Sequence, residues 1–192
     1  MRLIQLFRSI ADRFGVCPVV VLAAVLRLAN LGYPRSLVFD ETYYVKDAYA
    51  LWRAGHELQW TKGVNNQFIA GDFSGVTEAP EFVVHSPLGK WLIGLGMQIF
   101  GPANPFGWRI IPALAGIASV WLLYLIALKL FGSKRWALLP PFLLAIDGQA
   151  IVISRTAILD GLVAFFILLG FWIFLRTLDH KKPWKLFLLL GA

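Results

Sequence analysis

Apolar positions fall in long blocks, at about 14–33, 107–130, 136–154 and 157–175, and another block begins near Pro183. A helix crosses ~30 Å of hydrocarbon with ~20 apolar residues. Each block therefore predicts a span, and the chain reads as an all-α multi-pass membrane protein with four complete spans and the start of a fifth from about 183. The polar stretch at 34–106 carries two shorter amphipathic segments. Over 41–54, Tyr44, Ala48, Leu51 and Trp52 recur at helical spacing, and Gly55 supplies a stop. Over 87–100, Ser86 can cap a helix, Pro87 can open it and Gly101–Pro102 can end it. About 14 residues at 1.5 Å each give ~21 Å, too short for a span. Both segments are expected to lie along a membrane face.

Composition supports this reading, with 58% hydrophobic and 15% charged residues. The net charge of +7 suggests nucleic acid only until the charges are placed. Ten bases cluster in three places: Arg2, Arg8 and Arg13; Lys129, Lys134 and Arg135; Arg176, Lys181, Lys182 and Lys185. Asp12 and Asp179 are the acids that share those segments, while the remaining eight bases face nine acids. Basic clusters mark cytoplasmic loops. The N-terminus is then cytoplasmic, and the loop at 34–106 lies on the outer face of the cell membrane. Cys17 has no second cysteine to pair with, so redox compartment is not legible. Residues 1–32 read as an uncleaved first span, because the apolar part is long for a signal peptide and contains Arg27.

This topology gathers Asp40, Glu41, His85, Lys90, Arg109, Asp147, Arg155 and Asp160 at or near one face, with Arg27 toward the outer end of the first span. Charges within a membrane segment usually face a cavity or a partner. Each has a structural reading beside a chemical one. Asp40 can cap the helix that starts at Glu41, or accept a proton. Arg27 can pair with Glu41, or meet a substrate. Arg109 can snorkel to the interface, Lys90 can meet lipid headgroups, and His85 can hydrogen-bond its loop. Asp147, Arg155 and Asp160 can form an ion-pair network between the third and fourth spans. A metal site is not expected, since His85 lacks a second ligand at a familiar spacing and Asp40–Glu41 alone is a poor cage.

Four stretches together carry a family resemblance: "RLANLGYPRSLVFDETYYVKDAY", "FVVHSPLGKWLIGLGMQIFG", "FGWRIIPALAG" and "AIDGQAIVISRTAILDGLVAFF". They make the chain similar to the N-terminal part of the protein O-mannosyltransferases of the actinobacterial kind. The family commonly has His-Pro-Pro-Leu-Gly-Lys where this chain has Ser86. The resemblance implies a GT-C fold and a polyprenyl-phosphate mannose donor. It also implies transfer, with inversion, to Ser or Thr hydroxyls of exported proteins. Asp40 matches the family's base, within an Asp-Glu pair completed by Glu41. Arg27 and Arg109 match arginines of span one and of the outer start of span two. His85, Lys90, Arg155 and Asp160 are further candidate substrate contacts. No cofactor is implied, metal dependence is left open, and the secretion machinery is a candidate partner. The family is much longer, with more spans and a later outer domain.

The residues suit that chemistry. A serine hydroxyl needs a carboxylate within ~2.6–3.2 Å to take its proton. A phosphate leaving group needs no protein acid, and arginine forks suit it. Two other classes remain open at this point. One is another polyprenyl-phosphate-sugar transferase of the same fold, acting on a glycan or lipid. The other is a transporter subunit, which would favour polar residues and broken helices near mid-span.

Overall fold

A computed structural model of the chain describes residues 15–178. Its elements are α1 (Cys17–Leu28), α2 (Glu41–Ala54), β1 (Leu58–Trp60), α3 (Asn65–Ile69), β2 (Val76–Pro80), α4 (Leu88–Phe100), α5 (Pro105–Phe131), a 3₁₀ turn (Trp136–Leu138), α6 (Leu139–Ile146), α7 (Gly148–Ser154) and α8 (Asp160–Thr177). Helix α5 is the axis on which α1, α4, α6, α7 and α8 pack. Its 27 residues are set by local signals. Asn104 accepts from the Phe106 amide at 3.1 Å, Pro105 fills the first turn, and Gly132 closes the far end at φ 62°.

Among the described residues, α5 and α8 are long and apolar enough to cross a membrane, with mean hydropathies of 2.2 and 1.7. The segments α6 and α7 make a third candidate only if taken as one span bent by 63°. Of the four complete spans expected, two, or three with the bent pair, meet that length and composition among the described residues. Within 14–33 the helix covers Cys17–Leu28, 12 residues, or ~18 Å at 1.5 Å per residue. The expected span 136–154 is broken at Asp147. There ψ swings to 120°, and the side chain accepts from the Ala150 amide at 2.7 Å, ending one helix and capping the next. The segment from 183 and the clusters at Arg2, Arg8, Arg13, Lys181, Lys182 and Lys185 lie outside the described residues.

The loop before α5 is a small folded unit, and it departs from an all-α reading. β1 and β2 pair antiparallel, with Leu58 opposite Pro80 and Trp60 opposite Val76. Tyr49 stacks on Phe73 and meets Trp60 and Phe68 edge to face, and Phe68 reaches Trp108 of α5. This aromatic cluster fastens the hairpin to the helices. Helix α2 spans Glu41–Ala54 and ends at Gly55, whose φ of 80° suits glycine. Helix α4 begins at Leu88, one residue later than the pattern suggests, and Ser86 supplies no capping bond. A Cβ at Gly94 would collide with the Trp52 indole, and one at Gly96 with the Gly107 carbonyl. Glycine at these positions lets α4 wedge between α2 and α5.

Candidate functional site

The site is built around the first turn of α2. Glu41 is fully buried. Its Oε1 accepts from Arg109 Nε at 2.7 Å and from the Ala157 amide at 2.9 Å. Its Oε2 accepts from Arg109 Nη2 at 2.7 Å and from the Val38 amide at 3.0 Å. Arg109 spends its remaining hydrogens on the carbonyls of Leu31, Pro34 and Ser36. A guanidinium has five N–H donors, and here all five are used. This knot joins the exit of α1, the start of α2, α5 and the segment leading into α8. Arg109 therefore does not snorkel, and it has no donor left for a phosphate. The alternative in which Arg27 pairs with Glu41 is also overturned, because Arg109 takes that place.

Asp40 is the neighbour of this fixed carboxylate. It is half-buried, and its backbone is already helical at φ −73°, ψ −4°, so the side chain makes no capping bond. The reading of Asp40 as a helix cap fails on that geometry. Its carboxylate has no hydrogen-bond or ion-pair partner among the described residues. Phe39, just before it, is exposed and held at φ 50°. A left-handed backbone at a bulky residue is strained, and such strain gathers where a site must be aimed.

One turn on, Tyr44 gathers the rest. His85 meets its ring edge-on at 5.8 Å, and Lys90 Nζ lies 5.7 Å from the ring centroid. Burial pushes the Tyr44 phenol above its ordinary value, and the fields of Asp40 and Asp160 push the same way. His85 is exposed and makes no hydrogen bond to its loop, which corrects that expectation. Asp160, at the start of α8, is exposed and unpartnered among the described residues.

Asp160 also lines a cleft of about 360 Å³ between α1, α5, α7 and α8, with Arg27, Gly116, Ser119 and Ser154. Arg27 is buried there and donates to the carbonyls of Leu144 and Ala145, both at 3.1 Å. It thereby satisfies the free end of α6 at the break. Its Nε is buried without a partner. A Cβ at Gly116 would lie 3.1 Å from that Nε and 2.5 Å from Ser154 Cβ, so glycine keeps the cleft open. Arg155 returns the service, donating to Leu26 and Arg27 at 2.9 and 3.2 Å and closing the end of α1. The expected network of Asp147, Arg155 and Asp160 is absent. Asp147 caps α7, Arg155 holds α1, and Asp160 stands apart.

Lys90 is corrected as well. It is fully buried, 3.0 Å from Asp47 and 2.8 Å from Glu57, and meets no headgroup. Burial works to lower its pKa, but the two carboxylates more than offset this and hold it above the ordinary lysine value. Asp47 is pushed up by burial, with Lys90 opposing. The triad ties α4 to α2 and to the hairpin. Of the residues singled out in the sequence, His85 packs on Tyr44, the fields of Asp40 and Asp160 reach its phenol, and Arg27 and Asp160 line one cleft. Glu41, Arg109, Lys90 and Arg155 are internal fasteners. Tyr44, Asp47, Glu57, Ser119 and Ser154 were not singled out. Tyr44 alone had a local signal, four residues after Asp40 on the same helical face.

Residues 18–192 match the family of dolichyl-phosphate-mannose-protein mannosyltransferases. The chain is 35% identical over 169 residues to a polyprenol-phosphate-mannose–protein mannosyltransferase of Mycobacterium tuberculosis, covering 85% of this chain and 28% of the relative. A protein of the same description from Corynebacterium glutamicum is 32% identical over 176 residues, covering 89% and 31%. The protein O-mannosyl-transferase 1 of Rattus norvegicus is 28% identical over 189 residues, covering 90% and 22%. No solved structure is a significant match. The chain spans less than a third of the length of these curated relatives. It belongs to the dolichyl-phosphate-mannose-protein mannosyltransferase family.

Proposed function

We propose that the chain carries the proton acceptor and part of the donor cleft of a membrane glycosyltransferase of the GT-C type. The enzyme moves mannose from polyprenyl-phosphate mannose to Ser or Thr hydroxyls of exported proteins. The observation that carries this reading is the contrast between two adjacent acids: Glu41 is saturated by four donors, while Asp40 is fixed beside it with its own oxygens unused. In the transfer, the acceptor oxygen attacks the anomeric carbon as its proton passes to Asp40. The bond from that carbon to the phosphate oxygen breaks, and polyprenyl phosphate leaves with the electron pair. A single displacement of this kind inverts the centre. Arg27, whose buried Nε–H is unspent, lines the cleft where the phosphate would sit, beside Ser119 and Ser154, whose hydroxyls donate to the carbonyls of their own helices. By the charge pattern, the site opens on the outer face of the membrane.

The break at Asp147 is the feature a transporter reading would use, since broken helices mark transport sites. Here the break is filled by the chain itself. Its carbonyls accept from Arg27, and Asp147 is spent on capping α7.

Asp40→Asn tests the proposal. The residue makes no capping bond to lose, so the fold and membrane level should hold. Transfer from the lipid donor to a Ser/Thr peptide should fall by roughly 10²–10⁴-fold, the usual contribution of a general base. Donor affinity should change little. Near wild-type transfer by the Asn variant would remove Asp40 from this role.

A further inference from the structure

A cavity of about 250 Å³ lies far from Asp40, toward the C-terminal ends of α5 and α8. These two helices start together at the Glu41 knot, where Arg109 and the Ala157 amide share one carboxylate, and they run side by side. Leu125, Leu128 and Lys129 line the cavity from α5, and Trp172, Leu175 and Arg176 line it from α8. Both trios follow one spacing, with apolar residues at i and i+3 and a cation at i+4, so each shares a helix face. Each cation stands about 6 Å further along its axis than the first apolar residue. The cavity thus grades from an apolar floor between the helices to a mouth with two cations. By the charge pattern, that mouth faces the cytoplasm. Among the described residues no acid lines it. Arg176 is exposed, and its Cζ lies 5.6 Å from the Trp172 ring centroid. Stacking occupies the face of a guanidinium and leaves its N–H edge for an oxyanion. Lys129 is exposed too, and an ammonium has three donors.

We propose that this cavity binds the headgroup of an anionic phospholipid of the cytoplasmic leaflet. The phosphate lies between Lys129 and Arg176, and the glycerol and first methylenes lie against Leu125, Leu128 and Leu175. Basic pockets between spanning helices at this membrane face suit such headgroups. Cations in a last turn also complement the helix dipole. That role alone needs neither a cavity shared by two helices nor a ring beneath the guanidinium. A free phosphate would meet the cations and leave the leucine floor against water. A zwitterionic lipid would bring its own ammonium to a mouth that already holds two cations. An anionic lipid satisfies both the floor and the mouth. Bound there, it fastens the far ends of the two helices whose near ends meet at Glu41.

The test follows the melting temperature of the whole protein in detergent as lipid is added. Phosphatidylglycerol is the probe, phosphatidylcholine the zwitterionic comparison and glycerophosphate the one without acyl chains. Phosphatidylglycerol should raise the wild-type melting temperature to a plateau, and the two comparisons should not. Its half-saturating concentration should rise about fivefold in Lys129→Gln and again in Arg176→Gln, with the two effects combined in the double variant. Lys134→Gln removes an exposed cation just beyond α5 and outside the cavity, and should titrate like the wild type. Each shift is read against the variant's own lipid-free value, so a lower basal stability does not hide it. Equal weakening in Lys134→Gln would reduce the site to diffuse surface charge and overturn it. Equal protection by phosphatidylcholine or glycerophosphate, or an unaltered titration in the double variant, would overturn it as well. Mannose transfer plays no part in the readout, so the site stands or falls apart from the transferase reading.

Discussion

The knot around Glu41 and the cleft around Arg27 both place an arginine among helix ends, yet they are finished to different degrees. Every donor of Arg109 and both oxygens of Glu41 are spent within the chain. In the cleft, Arg27 keeps a buried Nε without a partner and Asp160 makes no bond among the described residues. Buried polar groups are ordinarily satisfied. A saturated cluster can therefore only hold shape, while leftover capacity in a cavity can meet a ligand. The pair of neighbours Asp40 and Glu41 shows the same division within one turn. Glu41 supplies rigidity, and Asp40 keeps the free oxygens.

The most severe way to break this comparison is to cut the knot. Arg109→Leu would leave the Glu41 charge buried without its partner, at a cost of about 3–5 kcal/mol. Three carbonyls would lose their donor at the same time. Membrane level and thermal unfolding in detergent should both fall sharply. The double variant Arg109→Leu with Glu41→Leu should be less depleted than the two single deficits combined, because no unpaired charge remains. Recovery stays partial, since the Val38 and Ala157 amides also lose their acceptor. Strictly additive deficits would mean that the two residues stabilise the protein independently.

A smaller effect sharpens the other half. Gly116→Ala places a methyl 2.5 Å from Ser154 Cβ and 3.1 Å from Arg27 Nε. Overpacking of this kind costs about 1–3 kcal/mol. It should also crowd the cleft, so donor KM is expected to rise more than acceptor KM. An equal rise in both would count against the cleft as the donor's place, and unchanged kinetics would show that it is not used.

Much of the scaffold was legible because its signals are local. Gly55 ends α2 as expected, and the spacing of Tyr44, Ala48 and Leu51 gives its buried face, whereas the Asn104–Pro105 start and Gly132 stop of α5, equally local, lie just outside the expected block at 107–130. The break at Asp147–Gly148 was legible in principle. An Asp-Gly step inside an apolar run is both a turn signal and an N-cap. The continuous hydropathy on either side masked it. Partner choice was not legible. Arg27 and Arg109 stand equally near one end of their helices in the sequence, and only the fold, which brings the start of α5 to the first turn of α2, decides that Arg109 takes Glu41, 68 positions away. Lys90 found Glu57 across 33 positions through a hairpin with a three-residue strand, too short to announce itself. In each case an isolated charge suggested a ligand, and the fold supplied an internal partner.

The smallest expected effect separates the two buried ion clusters by their response to alkali. The Glu41 knot holds neither a lysine nor a tyrosine. Lys90 is held above its ordinary value. The folded state thus binds that proton more tightly than the unfolded chain does. The resulting stability is complete below the unfolded lysine value of about 10.4 and is lost as pH rises through the folded value. Tyr44, also raised, acts in the same direction above about 10. Asp47, raised by burial, makes its own contribution at low pH and loses it as pH rises through its folded value, so it adds nothing to an alkaline loss. Melting temperature in detergent should therefore decline above about pH 10. The decline should shrink in Lys90→Arg, where the cation can still bridge Asp47 and Glu57 without titrating. Tyr44→Phe keeps the ring against His85 and Lys90 and removes only the phenol, so it should trim the remainder. An alkaline decline that is unaltered in Lys90→Arg would mean that the triad does not gain its stability from the lysine proton, and that the loop unit loosens elsewhere.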